Sequence, residues 1–110
     1  MGQLDAPVEL RAFRGTRRTS TYREHILSEG AFGRILAMGA ERGLAELSAL
    51  DLHGRHELDK AGAQRLAEEA TEVRMSGQLP DLDGDLVAIV EVARWCVHAS
   101  EDSWLTIRGP

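Results

Sequence analysis

The densest group of side chains that could bind a metal lies between residues 51 and 57, where Asp51, His53, His56 and Glu57 are close together. A zinc site needs three or four imidazole, thiolate or carboxylate ligands that converge on one point. No cysteine is near this group, and the other two histidines are distant in the sequence. Two interpretations stay open, a metal site or a polar loop between helices. We expect the loop, with no metal and no cofactor.

A second acidic group begins like a calcium-binding loop, with Asp81, Asp83 and Asp85 at alternate positions. A calcium loop of that kind has glycine at its sixth position and a bidentate glutamate at its twelfth. Here Gly84 is fourth and Val92 is twelfth. Carboxylates are also favourable at the positive end of a helix dipole. We therefore expect Asp83 or Asp85 to cap a helix rather than to bind calcium.

Nucleophilic catalysis has one thiol candidate, Cys96, within the apolar stripe of a predicted helix, where a thiol is normally inert. His98 is two residues further on and points to a different helix face, so it cannot act directly as a base for Cys96. The chain has no Gly-x-Ser-x-Gly motif and no phosphate-binding glycine loop. These observations predict a protein that is not an enzyme.

Charge is segregated along the chain. From Glu24 to Pro110 there are sixteen acidic residues and eight basic ones, whereas residues 11–23 contain five arginines and no acid. These arginines are Arg11, Arg14, Arg17, Arg18 and Arg23. Such a segment is compatible with nucleic-acid phosphates, and the flanking Phe13 and Tyr22 could stack on bases. The alternative is that these arginines pair with carboxylates of the same chain, which is favoured because the rest of the chain is strongly acidic.

The acidic body favours a different partner, a basic protein surface. Candidate contacts are the acids on one helix face, the acids before the next helix and a tryptophan away from the main apolar stripe of its helix. Tryptophans are frequent hot spots at protein interfaces. The candidate partner-binding residues are Glu68, Glu69, Glu72, Asp81, Asp83, Asp85 and Trp95.

Periodicity predicts the elements that carry these residues. Alternating apolar residues predict strands at 7–13 and 103–108. Three- and four-residue spacing predicts a helix at about 22–28 that breaks at Gly30 and resumes at about 31–41, a helix at about 60–76, and a last helix from a cap at Asp83 or Asp85 to about residue 99. A short helical turn is predicted at 44–50 and a polar connection at 51–57. Thr21 and Glu24 have the spacing of a capping box, and Asp59 is a good N-cap. Gly43 and Gly77 mark helix ends.

These elements predict one α+β domain over residues 1–110, with about four helical segments on a small sheet formed by an N-terminal and a C-terminal strand. Helix should exceed strand several-fold. The chain has 43% apolar and 5% aromatic residues, so aliphatic side chains must fill the core. A single cysteine suggests a reducing compartment, and the absence of a leader or an apolar run near 18 residues predicts a cytoplasmic protein with no membrane contact.

The run from Leu50 to Val73, followed by a closing helix and a short Trp-Leu-x-Ile-x-Gly strand, resembles small uncharacterised actinobacterial proteins of the toxin-immunity type. Twelve of the thirteen basic residues are arginine, which is typical of a high-GC bacterial genome. The resemblance implies an α+β fold and a binding role. We therefore expect a non-enzymatic protein-binding protein that neutralises a bacterial toxin through an acidic surface, with a nucleic-acid-binding or regulatory protein using the Arg11–Arg23 segment as the alternative.

Overall fold

The computed structural model describes residues 6–15, 21–100 and 102–110, with only the backbone at residue 21. Four strands and four α-helices follow one another, with a 3-10 turn, Pro80–Leu82, before the last helix. The strands are β1 Pro7–Arg14, β2 Thr21–Ser28, β3 Arg55–Leu58 and β4 Ser103–Arg108. The helices are α1 Glu29–Glu41, α2 Ala45–Ala49, α3 Lys60–Met75 and α4 Asp83–Val97.

The strands form one antiparallel sheet in the order β2-β1-β4-β3. The two strands predicted from alternation, β1 and β4, are its central neighbours, with Leu10 opposite Ile107 and Ala12 opposite Leu105. The predicted α+β class and the pairing of these two strands are therefore confirmed. The sheet has two further strands that the sequence did not predict, so α-helical residues outnumber strand residues only about twofold.

Residues 21–28, predicted to form a helix, are the edge strand β2. The Thr21–Glu24 capping box was wrong, because Glu24 lies opposite Arg11 in the β1–β2 ladder. Residues 51–57, predicted as a polar connection, contain the start of β3, which pairs with β4. Both strands lie at sheet edges, and their sequences lack the regular apolar–polar alternation by which a half-buried strand is recognised.

The helical predictions at 31–41, 44–50 and 60–76 are confirmed to within two residues at their ends. The Asp59 carboxylate accepts a hydrogen bond from the Gly62 N–H at 2.8 Å, so Asp59 caps α3 as predicted. Gly43 and Gly77 close the helices before them with φ values of +69° and +70°, in the left-handed region that glycine tolerates.

The helix starts differ from the predictions in two places. No helix break occurs at Gly30, because the Ser28 hydroxyl caps α1 and the helix begins at Glu29. Neither Asp83 nor Asp85 caps α4. Its N-cap position is Leu82, which makes no side-chain cap, and both aspartates lie in the first helical turn.

The core lies between the sheet and the helices. On β1 and β4 the residues facing it are fully buried, Val8, Leu10 and Ala12 on one strand and Leu105 and Ile107 on the other. They pack with aliphatic side chains of the four helices and with one buried aromatic residue, Phe32, and the partly buried Trp95 packs against this cluster. Aliphatic side chains fill nearly all of this core, as the composition predicted.

Candidate interaction surface on the open face of the sheet

One face of the sheet carries none of the residues of the hydrophobic core. Because side chains alternate along a strand, the residues between the buried positions point away from the helices. We call this surface the open face. It consists of Glu9, Arg11 and Phe13 from β1, Tyr22, Glu24 and Ile26 from β2, Trp104, Thr106 and Arg108 from β4, and Arg55 and Glu57 from β3.

An aromatic row crosses three adjacent strands at one end of the open face. Phe13 lies opposite Tyr22 on one side and opposite Trp104 on the other. The Phe13 ring is stacked on Trp104 with centroids 5.4 Å apart, and it is tilted against Tyr22 at 5.9 Å. Tyr22 is 50% exposed. The sequence offered Phe13 and Tyr22 for stacking on bases. Their contact with each other and the contact of Phe13 with Trp104 depend on the strand registers, which the sequence did not predict.

Arg11 lies in the next row and is occupied by its own neighbours. Its guanidinium contacts Glu9 at 3.0 Å and Glu24 at 2.9 Å, and it lies 5.3 Å from the Tyr22 ring centroid. Arg11 thus pairs with carboxylates of the same chain, which was the favoured alternative for the arginines of this segment. Arg11 therefore offers little free positive charge to an external anion.

Two arginines oppose each other at the far corner of the open face. Arg55 and Arg108 are direct partners in the β3–β4 ladder, and neither makes an ion pair with a described residue. Like charges directly opposite each other destabilise a sheet. With Glu9, Arg11, Phe13 and Thr106 they surround a small cavity of about 100 Å³. The Arg55–Arg108 opposition is therefore unfavourable for stability, while on its other side Arg108 lies opposite Glu9 of β1.

The remaining described arginines of the basic segment lie on the other side of the sheet, around Trp95 of α4. The Arg14 guanidinium lies 3.8 Å from the Trp95 ring centroid and donates a hydrogen bond to the backbone carbonyl oxygen of Trp95 at 3.0 Å. Arg23 lies 5.6 Å from the same ring. Arg17 and Arg18 lie outside the described residues. The described arginines thus divide between two faces and do not form one basic stripe.

The predicted partner-binding acids of α3 all make contacts within the chain. Glu69 accepts hydrogen bonds from the backbone N–H groups of Glu46 and Leu47, at 2.9 and 2.8 Å, and so satisfies the start of α2. Glu72 lies 3.4 Å from Arg42, and Glu68 accepts from the Gln64 amide at 3.0 Å. Glu69 therefore joins two helices, a role that its exposed-looking sequence position did not reveal.

The three predicted aspartates are also paired. Asp81 makes a bidentate contact with Arg34 at 2.6 and 3.1 Å. Asp83 accepts from Arg74 at 2.7 Å, and Asp85 lies 2.8 Å from His25 of β2.

The hydrogen bond from Arg34 holds the pKa of Asp81 below its usual range, and the charge of the same guanidinium adds to this effect. Each of these three carboxylates would have to exchange an existing partner before it could bind another protein's cation.

The candidate metal ligands do not converge. The Asp51 N–H donates to His56 Nε2 at 3.1 Å, while His53 lies 3.3 Å from the Pro110 carbonyl oxygen. Glu57 belongs to the open face, and His56 points to the opposite side of the same strand. Within the part of the chain that the structure describes, no three His, Cys, Asp or Glu side chains form a group that could hold a metal ion.

Cys96 is fully buried, and its Sγ lies 3.4 Å from the Ser103 hydroxyl. Burial raises the pKa of this thiol, so the neutral form is favoured. His98 is exposed and caps the end of α4 through its backbone. The expectation that the protein is not an enzyme stays a prediction.

Comparison of the chain with protein-family models, with curated protein sequences and with solved structures finds no significant match. The fold and the surface define an α+β protein with an open, aromatic and mixed-charge sheet face. Among the described residues, no helix has both the length and the apolar character needed to cross a bilayer.

Proposed function

We propose that the protein is a non-enzymatic binding protein whose partner is another protein, held on the open face of the sheet. The aromatic row of Tyr22, Phe13 and Trp104 carries this proposal, because it lies outside the hydrophobic core. Tyrosine, tryptophan and arginine are enriched among interface residues that contribute most to binding. The open face offers all three types within one continuous surface.

The charges on the open face support a protein partner. Three carboxylates, Glu9, Glu24 and Glu57, alternate there with three arginines. A protein surface can place charges of both signs in a matching pattern, and such matching gives specificity. The phosphates of a nucleic acid would be repelled by these carboxylates and by the net charge of −5.

Toxin neutralisation is the most specific form of this proposal. It rests on the resemblance to immunity-type proteins and on the acidic net charge, which would speed encounter with a basic target. The open face would supply the close contacts, since six predicted acids already make contacts within the chain. Coexpression with a toxin encoded beside the gene tests this form. If the protein neutralises the toxin, cells that express the toxin should grow when the wild-type protein is coexpressed, and should not grow with the Trp104→Ala variant.

Site-specific photo-cross-linking in the native host tests the proposed function directly. A photoreactive phenylalanine analogue replaces Phe13 on the open face or, as a control, Met75, which is 77% exposed on α3. We expect a defined cross-linked protein from position 13 and none from position 75. Purified partner should then bind the Trp104→Ala variant at least about 30-fold more weakly, as for a hot spot worth about 2 kcal/mol.

The rival function, binding of single-stranded nucleic acid, is favoured by the same aromatic row, because aromatic side chains on a sheet can stack bases. A fluorescent oligonucleotide titrated at several salt concentrations separates the two. Binding that falls steeply with salt and is lost with Phe13→Ala would support the rival and count against the protein partner. We expect no saturable oligonucleotide binding at physiological salt.

A further inference from the structure

The strand β2 forms the long edge of the sheet, and among the described residues no strand lies on its outer side. The Glu29 N–H donates to the Ala6 carbonyl at 3.1 Å, just beyond the paired Pro7 and Ser28. Bonding alternates along an antiparallel ladder. The residues of β2 that bond to β1 are therefore Arg23, His25 and Leu27, and the N–H and C=O groups of Tyr22, Glu24 and Ile26 point outward.

The other side of β1 gives the same assignment. The Gly15 N–H donates to the Asp102 carbonyl at 3.1 Å, next to the paired Arg14 and Ser103. The odd-numbered residues of β1 therefore form their backbone hydrogen bonds with β4, and the even-numbered residues form theirs with β2. Both observations leave the N–H and C=O groups of Tyr22, Glu24 and Ile26 pointing outward, in the spacing that another strand would bond.

Apolar side chains accompany this free edge. Tyr22 is 50% exposed and Ile26 is 51% exposed, and both are on β2. Exposed edges of this kind are sites where a further strand adds, and proteins protect them with charged side chains, especially lysine, with proline or bulges, or with a very short strand. The charged side chains of β2 are Arg23 and Glu24, near its middle. The segment from Thr21 to Ser28 has eight residues and contains neither proline nor lysine.

A groove of about 270 Å³ runs beside β2, between this strand and α4. Its apolar lining is Ala88, Val92 and Trp95, and its charged lining is Arg23, Glu24 and Glu91. A free strand edge beside a groove formed with a helix is the arrangement in which sheet proteins bind extended peptides. Backbone hydrogen bonds then give affinity, and the groove selects alternate side chains.

We propose that β2 and this groove bind an extended segment of a partner protein as a fifth strand of the sheet. Alternate side chains of the segment would lie in the groove, apolar ones on Val92 and Trp95 and a carboxylate against Arg23. Arg23 makes no ion pair with a described residue, and its guanidinium instead lies over Trp95. This inference rests on the proposed function in requiring a protein partner. The groove lies on the helix side of the sheet and Phe13 and Trp104 lie on the open face, while Tyr22, Glu24 and Ile26 of β2 border both surfaces.

Charge disfavours a second copy of the chain as the occupant in the two registers centred on residues 24 and 23. Two β2 edges that pair about a two-fold axis at residue 24 place Glu24 opposite Glu24. Moving the axis by one residue, to residue 23, places Arg23 opposite Arg23. Like charges directly opposite each other destabilise a strand pair. A partner segment with an acidic residue avoids both conflicts.

A displayed library of random heptapeptides, selected against the purified protein, tests the proposal for a partner of any sequence. We expect enriched peptides with apolar residues at alternate positions and an acidic residue between or beside them. The matched variants are Ile26→Pro and Ile26→Ala. Both lose the same side chain, but only proline lacks the outward N–H, and it interrupts no bond to β1. Enriched peptides should bind Ile26→Pro at least tenfold more weakly than Ile26→Ala.

A second variant keeps the test decisive if Ile26→Pro fails to fold. Ala88→Lys places a long side chain in the groove, and Gln64→Lys on α3 is its control for added charge. Peptide binding should be lost in the first and kept in the second. A library that yields no binders, or peptides that bind every variant equally, would overturn the proposal. So would a concentration-dependent dimer that Ile26→Pro abolishes. None of these results alters the cross-linking expected at Phe13.

Discussion

The two faces of the same sheet follow different physical rules. On β1 the alternate residues Val8, Leu10 and Ala12 are fully buried against the helices, whereas Glu9, Arg11 and Phe13 remain partly exposed on the open face. The helix-covered face is simple and aliphatic. The open face combines aromatic rings, an arginine bridging two glutamates and two opposed arginines. Burial explains the first composition, whereas the exposed Tyr22 ring and the opposed arginines do not follow from stability alone, and this difference makes the open face the candidate for binding.

The largest expected effect distinguishes the faces at adjacent positions. Leu10→Ala should lower the free energy of unfolding by about 2–5 kcal/mol, because it leaves a cavity in the core. Glu9→Ala, one residue away on the open face, should change it by less than about 1 kcal/mol, because its contact with Arg11 is partly solvated. Urea denaturation of both variants provides the measurement. Equal losses would mean that the open face is as important for stability as the core.

The next effect concerns an acid that was expected to bind a partner. Glu69→Ala removes the acceptor of two backbone N–H groups at the start of α2, so we expect a loss of about 1–3 kcal/mol in unfolding free energy. Glu68→Ala, on the neighbouring exposed position, is the control and should be nearly neutral. Thermal unfolding of the pair decides whether Glu69 has this structural role. A neutral Glu69→Ala would return it to the candidate partner-binding residues.

A smaller effect of opposite sign tests the corner of the open face. Arg55→Glu replaces the like-charge opposition with Arg108 by an opposite-charge pair, and should raise the unfolding free energy by about 0.2–1 kcal/mol. Arg94→Glu, on the exposed side of α4, controls for the change in net charge. Chemical denaturation at low salt is the measurement. No gain relative to this control would contradict the destabilising role of the opposed arginines.

The smallest effect appears only at alkaline pH. Burial raises the pKa of the Cys96 thiol in the folded protein, so its contribution to stability is complete below the ordinary thiol pKa of about 8.5 and is lost as pH rises through the raised value. Unfolding free energy should therefore fall more steeply above about pH 8.5 in the wild type than in Cys96→Ala. Parallel slopes for the two proteins would show that the thiol does not contribute.

The sequence predicted the helix-covered side of the molecule much better than the open side. Periodicity identified β1, β4 and the long helices because each buries one regular apolar stripe. Among the side chains of β2 that the structure describes, at residues 22–28, only Leu27 is buried, so the strand lacks a regular apolar alternation and its Thr21–Glu24 spacing resembled a helix start. The partners of Glu69 and Asp81 come from distant elements. Glu69 binds residues 22 and 23 positions away, and Asp81 binds one 47 positions away. Such pairs depend on tertiary structure, and local patterns do not reveal them.

The position of β4 has a consequence for how the chain folds. The hairpin of β1 and β2 can close locally, but β4 follows every other element in the chain and lies between β1 and β3. The middle of the sheet is therefore completed only after four helices have been traversed, and contacts of such long separation slow folding. Once inserted, β4 cannot leave without breaking two ladders at once. Its amide protons should exchange with solvent only through global unfolding, which makes them reporters of the stability of the whole domain.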